Sequence, residues 1–342
     1  MEGRSADHSP TFLERVGTAA AGITSMGPKR PATRLALQWG VAAVIFGFLV
    51  YFVVRQWNDL PDFNWHFEPG WLALAGLAVL VFYFWQGELW RLIVHALGEE
   101  HLEPVPARAI WGKSLIARYV PTNALMVVGR IVMAEREGVA KRVCFASIVY
   151  ELGLGFGTAV MVGAYFVIEL PAWQDESARY AVLALIPVVI AVLHPRIFLP
   201  LANYGLSKLG REPLPRALPF AKVICFALMY VGCWAVVGTG VYCFASALTT
   251  LATGDFPYVA SAYPVAFCVA VLTFIVPSGL GTRDAALALA LRAVMAATVA
   301  TAIAVAFRIF QTAVELLYVG TVAWLGRRRR APATVPAARR RR

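Results

Sequence analysis

The sequence predicts an all-α polytopic membrane protein with about eight transmembrane helices. Hydrophobic residues make up 59% of the 342 residues, and charged residues only 15%. A soluble domain usually carries about 25% charged residues. Several apolar runs also reach the roughly 20 residues that a helix needs to cross a bilayer. These observations disfavour a large soluble helical domain.

Eight apolar runs are candidate spans. In chain order they are 35–54, 70–97, 143–169, 179–200, 219–250, 258–276, 284–300 and 303–325. They predict a transmembrane domain over 35–325. An N-terminal segment, 1–34, precedes this domain, and a basic tail, 326–342, follows it.

A further segment, 106–133, is amphipathic and is interrupted by Pro121. We expect it to enter and leave the membrane on the same side. The region 258–300 can also be read as a hairpin that dips into the membrane. The competing architecture therefore has six full spans and two re-entrant elements.

Basic residues alternate along the chain and predict its orientation. Lys and Arg number five in 1–34, seven in 98–142, five in 195–222 and eight after 326. They number one in 55–69, one in 170–180 and none in 250–257. Because basic loops remain in the cytoplasm, both termini are predicted to be cytoplasmic in a multi-pass protein of the cytoplasmic membrane.

The charge distribution also bears on partners. The net charge of +11 is concentrated in alternate loops and in two arginine blocks, 327–330 and 339–342. This pattern indicates a disordered tail on an anionic leaflet and gives no support to nucleic-acid binding.

Catalytic and metal chemistry find little support in the sequence. The five cysteines lie in apolar runs without a Cys-x-x-Cys pair, and the five histidines lack ligand spacing. No Asp-x-Asp motif, nucleophile–histidine arrangement or nucleotide-binding loop is apparent. We therefore expect no metal, no cofactor and no catalytic residue, and a transporter is favoured over an enzyme.

Two segments with broken backbone resemble one another. Arg118-Tyr-Val-Pro-Thr-Asn123 and Val276-Pro-Ser-Gly-Leu-Gly-Thr-Arg-Asp284 each place Val-Pro and a small hydroxyl residue ahead of a Gly and an Arg. Irregular backbone at membrane depth persists only where protein or water covers it. Paired interruptions of this kind are typical of transporters with internal repeats, so both are expected to face an internal cavity.

The second interruption also favours anion binding. A helix that starts near Thr282 would direct its free N–H groups toward the break. Arg283 would add a fork of donors, and Asp284 could cap the helix or hold Arg283. The alternative interpretation is structural: the segment is a cytoplasmic turn, Asp284 caps the following helix, and Arg283 is an ordinary loop arginine.

Ionisable residues inside apolar runs form a third set of candidates. Glu151 follows Pro121 by 30 residues, while Arg308 and Glu315 share a helix face with Gln311. Buried charges usually face a protein interior and have partners. They can line a path for a charged headgroup, or they can form salt bridges that fix helix packing. Glu88 and Arg91 can pair locally on one face.

The residues above resemble one known family. The motifs at 118–123 and 276–284, together with Gly129-Arg130, Glu135-Arg-Glu-Gly-Val139 and Glu151, are similar to the transmembrane region of lysylphosphatidylglycerol synthases, a flippase-like family. The resemblance spans roughly 35–325. It implies a lipid-translocating module without the soluble aminoacyltransferase domain of the full-length synthases.

Three positions depart from the family pattern. Thr122 and Ser278 stand where the family has glycine, and Asp284 stands where it has glutamate. A hydroxyl residue in place of glycine narrows backbone freedom, so the loop shape or headgroup preference can differ.

The favoured function is translocation of an anionic phospholipid or a polyprenyl-phosphate-linked substrate. Arg130, Arg283 and Arg308 would meet phosphate, while Glu151, Asp284 and Glu315 would meet a cationic group or balance the arginines. The complete set of predicted substrate-binding residues is Pro121, Asn123, Arg130, Glu151, Pro277, Gly279, Gly281, Arg283, Asp284, Arg308 and Glu315.

Two other functions fit the sequence. The chain could be a transferase, or an accessory subunit of one, in polyprenyl-phosphate or glycolipid assembly. It could also be a non-catalytic envelope scaffold. A homo-oligomer or a complex with envelope-biosynthesis enzymes is compatible with each function.

Overall fold

The computed structural model describes residues 66–98, 101–117, 123–170, 177–208, 213–214, 217–272 and 281–330. Within these ranges every regular element is helical, which confirms the predicted all-α class. The N-terminal segment 1–34 and the predicted span 35–54 lie outside the described residues.

Ten α-helices occur in the described ranges. They are α1 (Pro69–Leu97), α2 (Pro104–Ile116), α3 (Asn123–Glu135), α4 (Lys141–Ile168), α5 (Leu185–Leu193), α6 (Pro195–Lys208), α7 (Phe220–Leu248), α8 (Phe256–Leu272), α9 (Thr282–Leu291) and α10 (Ala297–Arg330). Two 3₁₀ helices, Ser177–Ala184 and Thr253–Asp255, precede α5 and α8.

Five of these helices are long and apolar enough to cross a membrane: α1, α4, α7, α8 with its preceding turn, and α10. A sixth span results if the segments Arg179–Leu193 and Pro195–Tyr204, which are bent by 74° relative to each other, count as one. Large apolar side chains such as Leu77, Leu228 and Leu317 remain more than half exposed. A surface of this kind suits lipid rather than water, in agreement with a multi-pass membrane protein.

The long helices define two ends of the bundle. The upper end is where α1 begins and α7 ends, because the N–H of Glu68 donates to the carbonyl of Ala247 over 3.0 Å. The lower end is where α1 finishes at Leu97. There, His95 Nε2 accepts from the N–H of Leu102, just before α2. The α4 helix runs from the lower end upward, since Ser147 near its start accepts a hydrogen bond from Trp90 of α1.

The first helical hairpin, α2–α3, opens at the lower end. Gly326 of α10 packs against Ala109 of α2, while Gly112 packs against Tyr318 and Val322. These contacts make α2 antiparallel to α10. The α2 helix therefore runs from the lower end toward the middle of the bundle. The α3 helix then returns to the lower end. A turn at Gly138, whose φ is +90°, leads from α3 into α4.

The second helical hairpin, α8–α9, opens at the upper end. Tyr258 in the first turn of α8 donates to the carbonyl of Ala290, near the end of α9, over 2.8 Å. The ring of Phe256 also packs against Tyr242 of α7, with ring centroids 5.1 Å apart. The two hairpins therefore enter the bundle from opposite ends.

The structure corrects one predicted span. The run 284–300 is not a single helix, because α9 ends at Leu291 and α10 starts at Ala297. The ten residues of α9 extend about 15 Å, half of the hydrocarbon thickness. Since α9 is too short to cross the membrane, 284–300 is not a transmembrane span.

Two further boundaries differ from the sequence interpretation. The run 179–200 is broken at His194, where α5 ends and Pro195 begins α6. The α10 helix continues to Arg330, so residues 326–330, assigned to the tail, are helical. The remaining tail residues, 331–342, lie outside the described ranges.

The second hairpin is held against α7 by a close backbone approach. A methyl group added at Gly238 would lie 2.1 Å from the carbonyl oxygen of Ala260 in α8. No real Cβ atom tolerates such a contact, so any larger residue must separate the two helices. Gly320 in α10 makes a suitable comparison, because a methyl group there meets nothing within 4 Å.

We expect Gly238→Ala to destabilise the protein by about 1–3 kcal/mol, the usual penalty for overpacking a tight contact. Gly320→Ala should be neutral, or stabilising by up to about 1 kcal/mol, because alanine is the better helix former. Thermal unfolding of both variants in detergent measures the difference. Equal midpoints would contradict the close approach of α7 and α8.

Candidate functional site

The middle of α10 carries a buried polar face. Arg308, Gln311 and Glu315 are 8%, 4% and 1% exposed. Their spacing of three and four residues places them on one side of the helix, as predicted. Because α10 is 34 residues long, Gln311 and Glu315 lie close to its midpoint and one helical turn apart.

The second hairpin contacts this face through Arg283. One terminal nitrogen of Arg283 donates to Gln311 Oε1 over 3.0 Å, and the other donates to Tyr263 Oη over 2.9 Å. Gln311 Nε2 donates to the same Tyr263 oxygen over 2.7 Å. The three side chains form a closed triangle between α8, α9 and α10.

The position of Arg283 follows from the start of α9. Gly281 is the N-cap residue and has a φ of +85°, a conformation that glycine adopts at little cost. The helix then begins at Thr282, as the sequence predicted, so its positive end lies beside Arg283. Asp284 Oδ1 lies 3.8 Å from Arg283 Nε, an ion pair without a close hydrogen bond.

The first hairpin contributes Arg130, which forms an ion pair with Glu151 of α4. Arg130 Nε also donates to Ser114 Oγ over 3.0 Å, across the hairpin. The second oxygen of Glu151 accepts from Trp111 Nε1 over 2.8 Å. The side chain of Arg130 is 3% exposed and that of Glu151 15%, so the carboxylate is the more accessible partner.

Two indole rings complete the surroundings of Arg130. Its guanidinium carbon lies 5.5 Å from the Trp90 ring centroid and 6.0 Å from that of Trp111. A cation is attracted to the faces of such rings, most strongly where water is scarce. The arginine is therefore held by a carboxylate, a hydroxyl and aromatic faces, which together offset its removal from water.

Tyr83 of α1 lies between the first hairpin and α10. Its hydroxyl donates to Glu315 Oε2 over 2.8 Å, and its ring centroid lies 6.5 Å from that of Trp111 in the first hairpin. The second hairpin reaches Gln311, one turn away on the same helix. The middle of α10 therefore contacts the second hairpin directly and the first hairpin through Tyr83.

The structure places the predicted site residues in two groups. Arg130 pairs with Glu151. Gly281, Arg283 and Asp284 lie at the start of α9, and Arg283 contacts the buried face of α10 that carries Arg308 and Glu315. Asn123 is the first residue of α3. Pro121, Pro277 and Gly279 lie outside the described residues.

Sequence reasoning missed several residues of the site, among them Tyr83, Trp111, Ser114 and Tyr263. Their partners are distant in the chain, up to 232 residues away for Tyr83 and Glu315, so no local spacing marks them. One signal was available. Trp111 and Ser114 are three residues apart, which places both on one face of the amphipathic segment.

Comparison with known proteins gives one family. A family model described as "Lysylphosphatidylglycerol synthase TM region" matches residues 37–318, which is most of the chain. Among curated protein sequences, no match was found.

We expect Arg130→Gln to destabilise the protein by about 3–5 kcal/mol, because it leaves a partly buried carboxylate without its cation. The double variant Arg130→Gln/Glu151→Gln should recover part of this loss, because no uncompensated charge then remains. Arg142→Gln, which removes an exposed arginine at the start of α4, should change the stability by less than about 0.5 kcal/mol.

The measurement is a double-mutant cycle on thermal or denaturant unfolding in detergent. Additive effects of the two single substitutions would contradict an energetically coupled pair.

Proposed function

The chain belongs to the lysylphosphatidylglycerol synthase TM region family, and on that basis we propose that it moves a lipid headgroup that carries phosphate between the leaflets of the cytoplasmic membrane. Family membership makes it a membrane-embedded protein with a lipid-related role. The substrate class we propose is an anionic phospholipid or a polyprenyl-phosphate-linked molecule.

Two oppositely oriented hairpins pack against α10, the first at Tyr318 and the second at Gln311, and this arrangement carries the proposal. Each hairpin delivers an arginine, Arg130 from below and Arg283 from above. Each charge within a span costs about 2.5–3.5 kcal/mol on insertion scales, and such residues commonly mark substrate paths.

The partners of Arg283 suit exchange with a phosphate. Two of its terminal nitrogens donate to neutral oxygens, those of Tyr263 and Gln311. A phosphate oxygen can replace a neutral acceptor with a gain, because hydrogen bonds between ions are roughly twice as strong as neutral ones. The start of α9 adds a partial positive charge at the same point.

The other charged residues receive roles by position. Arg130 and Arg308 would attract phosphate along with Arg283, while Glu151, Asp284 and Glu315 would balance the arginines or meet a cationic group. Glu151 is the most accessible of the Arg130 contacts, which suits a carboxylate that meets a headgroup.

We propose that the lower end of the bundle faces the cytoplasm. The exposed basic residues Arg136, Lys141, Arg142 and Arg327 all lie at that end. Cytoplasmic loops carry an excess of such residues. In this orientation the α2–α3 hairpin enters from the cytoplasm and the α8–α9 hairpin from the opposite side.

The experiment is leaflet-resolved transport of a labelled anionic phospholipid in proteoliposomes. Arg283→Ala should slow transport by roughly tenfold or more, the effect of losing one charge-assisted hydrogen bond. Arg292→Ala is the matched control, because Arg292 is exposed at the other end of the same helix and should leave the rate unchanged. Equal transport by wild type and Arg283→Ala would remove the proposed role of this site.

The same preparation tests the other functions. Consumption of an activated sugar donor by the purified protein would replace translocation with a transferase function. A cellular phenotype that depends on the basic tail but not on Arg130, Glu151 or Arg283 would favour an envelope scaffold.

A further inference from the structure

A second charged group lies outside the central site, where α1 meets α2. Glu88 and Arg91 of α1 and Arg108 of α2 form what we call the arginine cluster. Arg91 Nε donates to Glu88 Oε1 over 2.8 Å, and its Nη2 contacts the same oxygen. Arg108 Nη2 donates to Glu88 Oε2 over 2.9 Å. A single carboxylate therefore holds two guanidinium groups.

The arginine cluster is accessible, in contrast to the central site. The side chains of Glu88, Arg91 and Arg108 are 25%, 17% and 32% exposed, whereas that of Arg130 is 3% exposed. The three side chains are thus partly exposed at the surface of the bundle.

The arginine cluster has positive charge and hydrogen-bond donors in excess. Two guanidinium groups and one carboxylate leave a formal charge of +1. Each guanidinium has five N–H donors, and both oxygens of Glu88 are already engaged. Within the described residues, the Nε of Arg108 is buried and has no hydrogen-bond partner. Both arginines therefore keep N–H donors that an anionic group can accept from.

Packing fixes the position of Arg108. Its stem lies on Gly87, where an added methyl group would be 3.4 Å from Arg108 Cγ. Its guanidinium lies 6.0 Å from the Phe84 ring centroid, and its carbonyl accepts from Tyr318 Oη over 3.4 Å. A fixed guanidinium loses less conformational freedom when it binds an anion.

The depth of the arginine cluster favours an anionic partner. Arg91 is six residues from the end of α1, roughly 9 Å along the helix axis, and its guanidinium turns back toward Glu88, about one helical turn farther from that end. The 29 residues of α1 extend about 44 Å, similar to a bilayer with its headgroups. A net positive charge at this depth is costly, and local thinning of the bilayer can bring a headgroup to it. Arg327, near the end of α10, is exposed at the same end of the bundle.

We propose that the arginine cluster is a binding site for the phosphate group of an anionic membrane lipid, separate from the central site. The two guanidinium groups would share the phosphate oxygens, and Glu88, which bridges the two arginines, would offset part of their mutual repulsion when no lipid is bound. This assignment is independent of the translocation function, because no residue of the arginine cluster belongs to the central site.

The experiment measures thermal stability in nanodiscs of phosphatidylcholine, with and without added phosphatidylglycerol. Wild type should gain stability as the anionic lipid is added. Arg91→Gln/Arg108→Gln should lose this gain, with binding weakened about fivefold for each arginine removed. Arg142→Gln removes an exposed arginine at the same end of the bundle and should behave as wild type.

A second arm distinguishes the source of the phosphate. Inorganic phosphate added to delipidated protein in detergent should stabilise it less than the lipid does. An equal gain would identify a soluble phosphate as the ligand of the same site.

A third variant, Glu88→Gln, keeps both arginines but removes the ion pairs. It therefore distinguishes loss of lipid binding from loss of a stabilising ion pair. If the arginine cluster binds phosphate, this variant retains or increases the lipid-dependent gain, since the competing carboxylate is gone. If the double variant does not fold, Arg108→Gln alone carries the comparison. If phosphatidylglycerol stabilises the arginine variants as much as wild type, the proposal is overturned and the arginine cluster is a structural ion pair.

Discussion

The need to compensate charge and irregular backbone within lipid governs this structure. A hydrocarbon layer offers no hydrogen bonds, so each buried donor or acceptor must find a partner inside the protein. Arg130 meets this demand with Glu151, Ser114 and two indole rings, and Arg283 meets it with Tyr263 and Gln311. These contacts join elements that would otherwise have no reason to touch.

The two hairpins meet this demand from opposite ends of the bundle. The α10 helix supplies the common surface, because Gln311 contacts the second hairpin and Glu315 is linked to the first through Tyr83. Buried polar groups of α10 therefore find their partners in both hairpins or in α1.

Much of this arrangement could be predicted from the sequence. The apolar runs identified α1, α4, α7 and α10, and the glycines and proline at 277–281 marked the start of α9. The run 284–300 was misleading because alanine-rich sequence is equally apolar in a span and in a short buried helix. Residues 292–296, which separate the two helices, carry no proline or glycine to mark the turn.

The partners within the site could not be predicted from the sequence. Glu151 was identified as a buried charge, but its pairing with Arg130 and Trp111 depends on how α2, α3 and α4 pack. Likewise, Tyr263 lies in an apolar run where tyrosine is an ordinary core residue. Packing between helices determines which side chains become partners, and such contacts between distant residues leave no periodic pattern in the sequence.

The pairing of Arg130 with Glu151 has an electrical consequence. Moving one elementary charge through a potential of 100 mV involves about 2.3 kcal/mol of work. Opposite charges that shift together carry no net charge through the field, so the membrane voltage does no work on them. Rearrangements of this pair as a unit are therefore insensitive to voltage, and any voltage dependence of the protein must come from a charged cargo or from a residue that moves alone.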